Sequence, residues 1–379
     1  NMDKISYGRQ YIDNDDINMV VKALQSDMIT QGDYIVEFEN ALKKYTSAKY
    51  AVALSSGTAA LHISYLALGL EHNDEIITTA NTFAATSNAC LYCNGIPKFV
   101  DINSDDFLID DTKIEEQITN KTKIIAPVHY AGLTCNMENI LTLKEKHNLY
   151  VVEDACHGLG SSYNNHKTGS LKYSDIAVFS FHPVKHITTG EGGAILTNNE
   201  EIYKKCCALR SHGIYRDNFI NKTDSPVYHE MQVLGYNYRM TDIQAALGIS
   251  QLNKLDNFIK RRKEIAEIYY KEFSNCSYIQ MQKQYNNREN SYHLFPILFE
   301  NNSMRDKVYN KLKENNIFTQ IHYMPVTKHP YYEKLGYSYK NTINAYNFYK
   351  RELSLPIYPA LKNDEVYMVI NKIKHIVEG

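Results

Sequence analysis

The chain is expected to be an α/β protein with a mostly parallel central sheet, followed by a smaller C-terminal α+β domain. Three observations predict this. Short apolar runs of strand length alternate with helix-length segments through the first two-thirds of the chain. Chemically distinctive residues stand where several of those runs end, the place where open α/β sheets form ligand sites. Past Arg239 the alternation gives way to one long helical stretch. At 379 residues the chain is more than twice the common domain size. We expect a large domain over 1–240, then a connector helix and small domain over 241–379.

In order, Ala51–Leu54 reads as a buried strand, and Ser55-Ser56-Gly57-Thr58 leads into an apolar helix running to Leu70. Glu75–Thr79 is a strand, about Ala84 to Cys93 a helix, and Lys98–Val100 a strand. Ile114–Thr119 reads as helical, Lys123–Val128 as a strand, and Met137–His147 as a helix. Leu149–Val152 is a strand that runs out at Glu153-Asp154, Ile176–Phe179 another, and Ala194–Thr197 follows a glycine turn. Thr241–Asn275 is the long helix, whose charge run Lys260–Glu264 reads as a solvated face. Tyr292–Phe299 and Phe318–Tyr323 read as strands, Met304–Asn315 and the stretch from Asp364 as helices.

Composition narrows the function classes. Apolar residues make up 44% and charged residues 22%, as in a folded globular enzyme rather than a disordered chain. The net charge of −2 gives no electrostatic reason to expect nucleic acid or an acidic membrane as partner. Ala51–Leu70 and Ile76–Pro97 lack formal charges but are broken by Ser, Thr, Asn and Gly, so neither is expected to span a bilayer. The stretch from Asp3 to Asp16 has no apolar h-region, and a cytoplasmic location is expected. Seven cysteines, an odd number, suit reduced thiols. Cys90 and Cys93 form a CxxC without a second pair, and read as small buried apolar residues rather than a metal site.

Three features carry chemistry. Ser56-Gly57-Thr58 joins a strand to a helix, where backbone N–H groups can cradle a phosphate, although Ser and Thr also serve as plain N-caps. Asp154 ends an apolar strand; a carboxylate there could bind metal, act as base, pair with a cationic ring nitrogen, or merely cap the next segment. Lys185 lies in Ser180-Phe181-His182-Pro183-Val184-Lys185, between a buried strand and Thr188-Thr189-Gly190-Glu191-Gly192-Gly193. Burial lowers a lysine pKa and makes the amine a nucleophile for a carbonyl. In this order the three match the needs of pyridoxal phosphate: a phosphate anchor, a pyridinium partner and a lysine that bonds the aldehyde.

These residues, with Thr30-Gln31-Gly32, Gly235-Tyr236-Asn237-Tyr238-Arg239 and His322-Tyr323-Met324-Pro325, give the chain its likeness to a known family over nearly its whole length. It resembles the DegT/DnrJ/StrS sugar aminotransferases, within the fold-type I pyridoxal phosphate enzymes. The run from Ser180 to Gly193, together with Tyr7-Gly8-Arg9-Gln10 and Ser211-His212-Gly213, is most similar to the family members of the pseudaminic acid pathway. Those members aminate C4 of a UDP-linked 4-keto-6-deoxy-N-acetylhexosamine and give an L-altro product. Asp33, where many relatives have Pro, and Met28, where an aromatic is frequent, depart from the family pattern in a segment that bears on specificity.

The resemblance implies roles. Lys185 would carry the cofactor and move protons, and Asp154 would keep the pyridine nitrogen protonated. Gly57, Thr58 and Ser180 would hold the phosphate, Phe83 would stack on one ring face, and His157 would lie near the other face or the ring hydroxyl. Asn237 would reach the phosphate from a neighbouring subunit, making a homodimer the functional unit. Tyr7, Asp27, Met28, Ile29, Thr30, Gln320, Ile321, His322 and Tyr323 would contact the sugar nucleotide. The implied reaction passes an amino group from L-glutamate, leaving 2-oxoglutarate, through pyridoxamine phosphate to the keto sugar. Other readings are amination of a different 4-keto or 3-keto nucleotide sugar, and a non-catalytic binding protein on the same fold. A dehydratase branch, in which histidine replaces the lysine, conflicts with Lys185. The stretch 214–228, rich in Asn and Asp, is the candidate mobile loop.

Overall fold

The computed structural model describes residues 4–379. Two amphipathic helices come first, α1 (Asn14–Leu24) and α2 (Asp33–Thr46). The α/β part then runs β1 (Tyr50–Leu54), α3 (Gly57–Ala67), β2 (Glu75–Thr79), α4 (Ala85–Tyr92), β3 (Ile96–Val100), β4 (Thr122–Ala126), α5 (Met137–His147), β5 (Tyr150–Asp154), β6 (Ile176–Ser180), β7 (Gly193–Thr197) and α6 (Glu200–Arg210). These strands form one seven-stranded sheet in the order β1-β7-β6-β5-β4-β2-β3. The pairs β6–β5, β5–β4, β4–β2 and β2–β3 are parallel, whereas β7 runs antiparallel to both of its neighbours. A mostly parallel sheet is covered on both faces, so its strands do not alternate between core and solvent; all five residues of β2 are buried.

Helix α3 explains the uncharged stretch before Leu70. Nine of its eleven residues are buried, so it is an all-round apolar helix inside the protein. Its start is defined by Ser56, whose Oγ accepts the Ala59 N–H at 3.0 Å. Among the described residues no helix is long and apolar enough to cross a membrane. Cys90 and Cys93 are both buried, and burial pushes the Cys93 thiol up to about 12.

The 32-residue α7 (Asp242–Phe273) opens on a capping box between Thr241 and Gln244. Beyond it, β8 (Gln280–Met281), β9 (Phe295–Leu298) and β10 (Glu352–Leu355) make a small antiparallel sheet with β9 in the centre. Helices α8 (Asn302–Glu314), α9 (Pro330–Lys334), α10 (Ile343–Arg351) and α11 (Asn363–Glu378) complete this part. The first half of α7 packs Leu252, Leu255 and Phe258 with Phe38 and Leu42 of α2 beneath the large sheet. Its second half packs Ile265, Tyr269 and Phe273 with Phe295, Ile297 and Ile370.

Three readings need correction. Ile114–Thr119 is not an α-helix but two 3-10 turns, Asp111–Lys113 and Glu115–Gln117, with Ile114 between them anchored in the core. Phe318–Tyr323 is not a strand; it makes one isolated bridge, Gln320 to Ser354, because the backbone N–H groups of Ile321, His322 and Tyr323 donate to side chains. The charge run Lys260–Glu264 is not wholly solvated. Arg262 is completely buried, and its Nη1 donates to the carbonyls of Tyr292, His293 and Ile357 at 3.1–3.2 Å.

Helices α2 and α7 approach so closely that a Cβ at Gly248 would lie 2.6 Å from the wholly buried ring of Phe38. Gly248→Ala should therefore destabilise the protein by about 1–3 kcal/mol despite the better helix propensity of alanine, read from denaturant unfolding midpoints.

Candidate active site

A cavity of about 770 Å³ opens beyond the C-terminal ends of β1, β5 and β6. Asp154, the last residue of β5, forms part of its wall and is 5% exposed. Its Oδ2 accepts the hydroxyl of Thr86 at 2.6 Å and its Oδ1 accepts the Cys156 N–H at 3.2 Å. The single Thr86 proton is thereby used, so the Thr82 hydroxyl 3.0 Å away donates to Thr86. Thr86 is itself set by its backbone carbonyl, which accepts the Tyr65 hydroxyl at 2.9 Å.

Lys185 follows β6 on a turn closed by its own N–H to the His182 carbonyl at 2.9 Å. The base of that loop is tied by Phe181 N–H to Gly192 and Thr189 N–H to Phe181. Burial pulls the Lys185 amine below its ordinary pKa, while Asp154 and the Cys156 thiol oppose the shift. The result is an amine that loses its proton more readily than a surface lysine.

His157 is locked as a neutral ring. Its Nδ1 accepts the Ala131 N–H at 3.1 Å, so Nε2 carries the proton toward the Tyr323 oxygen at 2.9 Å. Burial, then the charge of Lys185, holds its pKa well below the ordinary value. His322 stands across the cavity, with Nδ1 2.8 Å from Ser354 Oγ and its ring 5.4 Å from that of Tyr7. Burial and Lys185 push its pKa down to about 3.

The structure brings Tyr7, Gly57, Thr58, Phe83, Asp154, His157, Ser180, Lys185, Gln320, Ile321, His322 and Tyr323 to this one cavity. Phe83 is 63% exposed at its mouth, with its ring 6.3 Å from that of Tyr323. It does not bring Asp27, Met28, Ile29 and Thr30 there. Those residues lie exposed after α1, where the Ile29 carbonyl accepts the Asp242 N–H and Thr30 bridges Thr241. Asn237 is likewise exposed, paired with Ser211 by a β-bridge, outside the lining of its own chain's cavity. The stretch 214–228 leaves a two-stranded ribbon, Ile214–Tyr215 with Glu230–Met231.

Sequence reasoning missed Thr86, Cys156 and His293, all of which line the cavity. Thr86 and Asp154 are 68 residues apart, and nothing local to either marks the pairing. Replacing Thr86 by the isosteric valine removes a donor from a buried carboxylate. Thr86→Val should destabilise the chain by about 1–3 kcal/mol in thermal unfolding.

Comparisons with known proteins identify the family of the chain. The family model for DegT/DnrJ/EryC1/StrS aminotransferases matches residues 10–374. A UDP-4-amino-4,6-dideoxy-N-acetyl-beta-L-altrosamine transaminase of Campylobacter jejuni is 39% identical over 382 residues, covering 98% of each chain. A GDP-perosamine synthase of Escherichia coli O157:H7 is 36% identical, covering 93% of each. Among solved structures, one described as a sugar aminotransferase from Streptococcus pneumoniae in its PMP form superposes with a TM-score of 0.93 at 31% identity, covering 99% of each chain. The fold-type I architecture therefore extends over the full length of the described chain. With a buried carboxylate, a depressed lysine and a helix N-terminus around one cavity, and matches of this extent, the chain belongs to the DegT/DnrJ/EryC1/StrS aminotransferase family.

Proposed function

We propose that this enzyme uses pyridoxal phosphate to move an amino group from L-glutamate to C4 of UDP-2-acetamido-2,6-dideoxy-β-L-arabino-hex-4-ulose, giving UDP-4-amino-4,6-dideoxy-N-acetyl-β-L-altrosamine for pseudaminic acid synthesis. The observation that carries the chemistry is that the buried Asp154 and the half-buried Lys185, its amine shifted below the ordinary lysine pKa, line the same cavity. The substrate assignment leans on the altrosamine transaminase from Campylobacter jejuni. A GDP-linked 4-keto sugar is the second reading, favoured by the likeness to the perosamine synthase.

The residues present fit the cofactor. A Cβ at Gly57 would lie 3.0 Å from Ser180 Cβ and 3.2 Å from Cys156 Sγ, so this cradle is kept free by the absence of a side chain. Gly57 and Thr58 open α3, where the first N–H groups have no intrahelical acceptor and favour a phosphate, with Ser180 beside them. Asp154 would sit against the ring nitrogen, Phe83 and His157 about the ring, and Lys185 would hold the aldehyde carbon. Bound there, the cofactor supplies an aldehyde to carry the amino group and a ring that draws electrons from the carbon losing its proton.

The chain's own residues do the rest. Lys185 Nζ, with its lowered pKa, takes the Cα proton of the donor and later gives a proton to C4 of the sugar, setting its configuration. Asp154 is fixed by Thr86 and the Cys156 N–H and keeps its charge aimed at the ring. Tyr7 and Gln320–Tyr323 form the wall that would meet the sugar.

A homodimer with shared sites completes the reading. Leu24 at the end of α1, Met28 and Ile29 just after it, and Val227 and Leu234 in the ten residues ahead of Asn237 are large apolar side chains 47–81% exposed. Covering them with a second chain would also give Asp27–Thr30 and Asn237 a cavity to serve.

The direct test is the visible absorption band of the cofactor-loaded protein, which glutamate should bleach and the UDP-4-keto sugar restore. Lys185→Ala should lower the turnover at least about 10³-fold. A colourless protein with cofactor added would sink the assignment. Mixing inactive Lys185→Ala with a poorly active Asn237→Asp variant should return about one quarter of the wild-type rate, since half the hybrids' sites are whole; no recovery would refute shared sites.

A further inference from the structure

Behind the cavity wall lies a second set of polar groups that the reaction scheme does not use. Glu352 and Ser354 stand two residues apart on β10 and thus share one face. Both are completely buried. Glu352 Oε2 accepts the His322 backbone N–H at 2.9 Å, and its Oε1 lies 2.5 Å from Ser354 Oγ. Ser354 Oγ in turn lies 2.8 Å from His322 Nδ1. The His322 carbonyl accepts the Tyr130 hydroxyl at 2.7 Å, which holds the backbone that carries the ring. With Nδ1 engaged, Nε2 is the ring atom left for the cavity that His322 lines.

A serine hydroxyl has one proton, and here it has two neighbours that could take it. If Glu352 is ionised, Ser354 donates to the carboxylate, His322 must carry its proton on Nδ1, and Nε2 faces the cavity bare. If Glu352 is protonated, it donates to Ser354, Ser354 donates to Nδ1, and the proton of His322 sits on Nε2. We propose that Glu352, Ser354 and His322 form a proton wire, in which the buried carboxyl group decides whether His322 offers the cavity an N–H donor or a bare acceptor.

The wire balances. When Nε2 gives its proton to a group in the cavity, the Ser354 proton passes to Nδ1 and the Glu352 proton passes to Ser354. One proton leaves, Glu352 ends as carboxylate, and His322 stays neutral throughout. That neutrality suits the site, since burial and Lys185 keep imidazolium from forming. The groups facing Glu352 are Ser354, the His322 N–H, the Arg305 guanidinium of α8 on the Glu352 carbonyl, and the Tyr130 and Tyr323 hydroxyls. Burial outweighs the first three and pushes Glu352 up to about 8, so near neutral pH the wire is loaded. This inference rests on the proposed reaction only for its use: departure of the keto oxygen as water calls for an acid at the sugar end of the cavity. Glu352 and Ser354 touch no substrate and are positioning residues.

The experiment follows the ring nitrogens of His322 by ¹⁵N NMR in the cofactor-loaded enzyme, with His322→Gln used for assignment. The wild type should show Nε2–H near pH 6.5 and Nδ1–H near pH 9.5, with the change centred on about 8. Glu352→Gln is isosteric: its amide oxygen accepts the His322 N–H and its NH₂ donates to Ser354, holding Nε2–H at both pH values. In the keto-sugar half-reaction this variant should be about 10²-fold slower near neutral pH and lose the alkaline limb. Ser354→Ala should break the pH response and Ser354→Thr should restore it. A wild-type tautomer that is the same at both pH values, or a Glu352→Gln variant that switches as wild type does, would overturn the wire. Should the enzyme aminate no 4-keto sugar while the tautomer still switches, the proposed substrate fails and the wire stands.

Discussion

A carboxylate taken out of water at the end of a central strand has to be compensated, and much of this structure is organised by that requirement. Asp154 receives one hydroxyl and one backbone N–H. The hydroxyl belongs to the first turn of α4, the N–H to the chain just beyond β5. Both donors stay in place only because Tyr65 of α3 holds the Thr86 carbonyl and because β5 is hydrogen-bonded between β4 and β6. The same burial that makes Asp154 demanding lowers the pKa of Lys185, so the carboxylate and the amine of the site are both shaped by removal from water.

The antiparallel β7 has a related part. Inserted between β1 and β6, it brings the glycine turn that precedes it against the start of α3 and fixes the loop carrying Lys185 from behind. The lysine is therefore presented by a strand pair rather than a free loop.

Much of the α/β frame was legible because its signals are local. Glu75–Thr79 and Met137–His147 coincide with β2 and α5, the first a buried run of four β-branched residues after Glu75, the second bounded by Asn136 and Asn148 as caps. The helices α1, α2 and α6 are absent from the sequence reading because their apolar residues come in short stretches broken by charges. Phe318–Tyr323 has strand-like residues, yet its partners are the Glu352 carboxylate and Asn81, which no pattern within six residues can reveal. Arg262 was misread for the same reason: a charge run signals solvent until three carbonyls from two distant loops supply an alternative. Of the site, the residues that end strands could be found from position alone, whereas Thr86, His293 and Ser354 owe their place to contacts far away in sequence.

Helix α7 serves two cores at once, and this limits how the polypeptide can be divided. Cut at residue 240, the first piece would lose Leu252, Leu255 and Phe258 from against Phe38 and Leu42, and also Leu294, Leu298, Ala345 and Phe348 from the layer that includes Ile77 and Ile125. Each fragment would display an apolar face meant for the other. Synthesis on the ribosome meets the same condition: the sheet is complete in sequence well before its cover emerges, so the nascent large part stays exposed until α7 and the strands after it arrive.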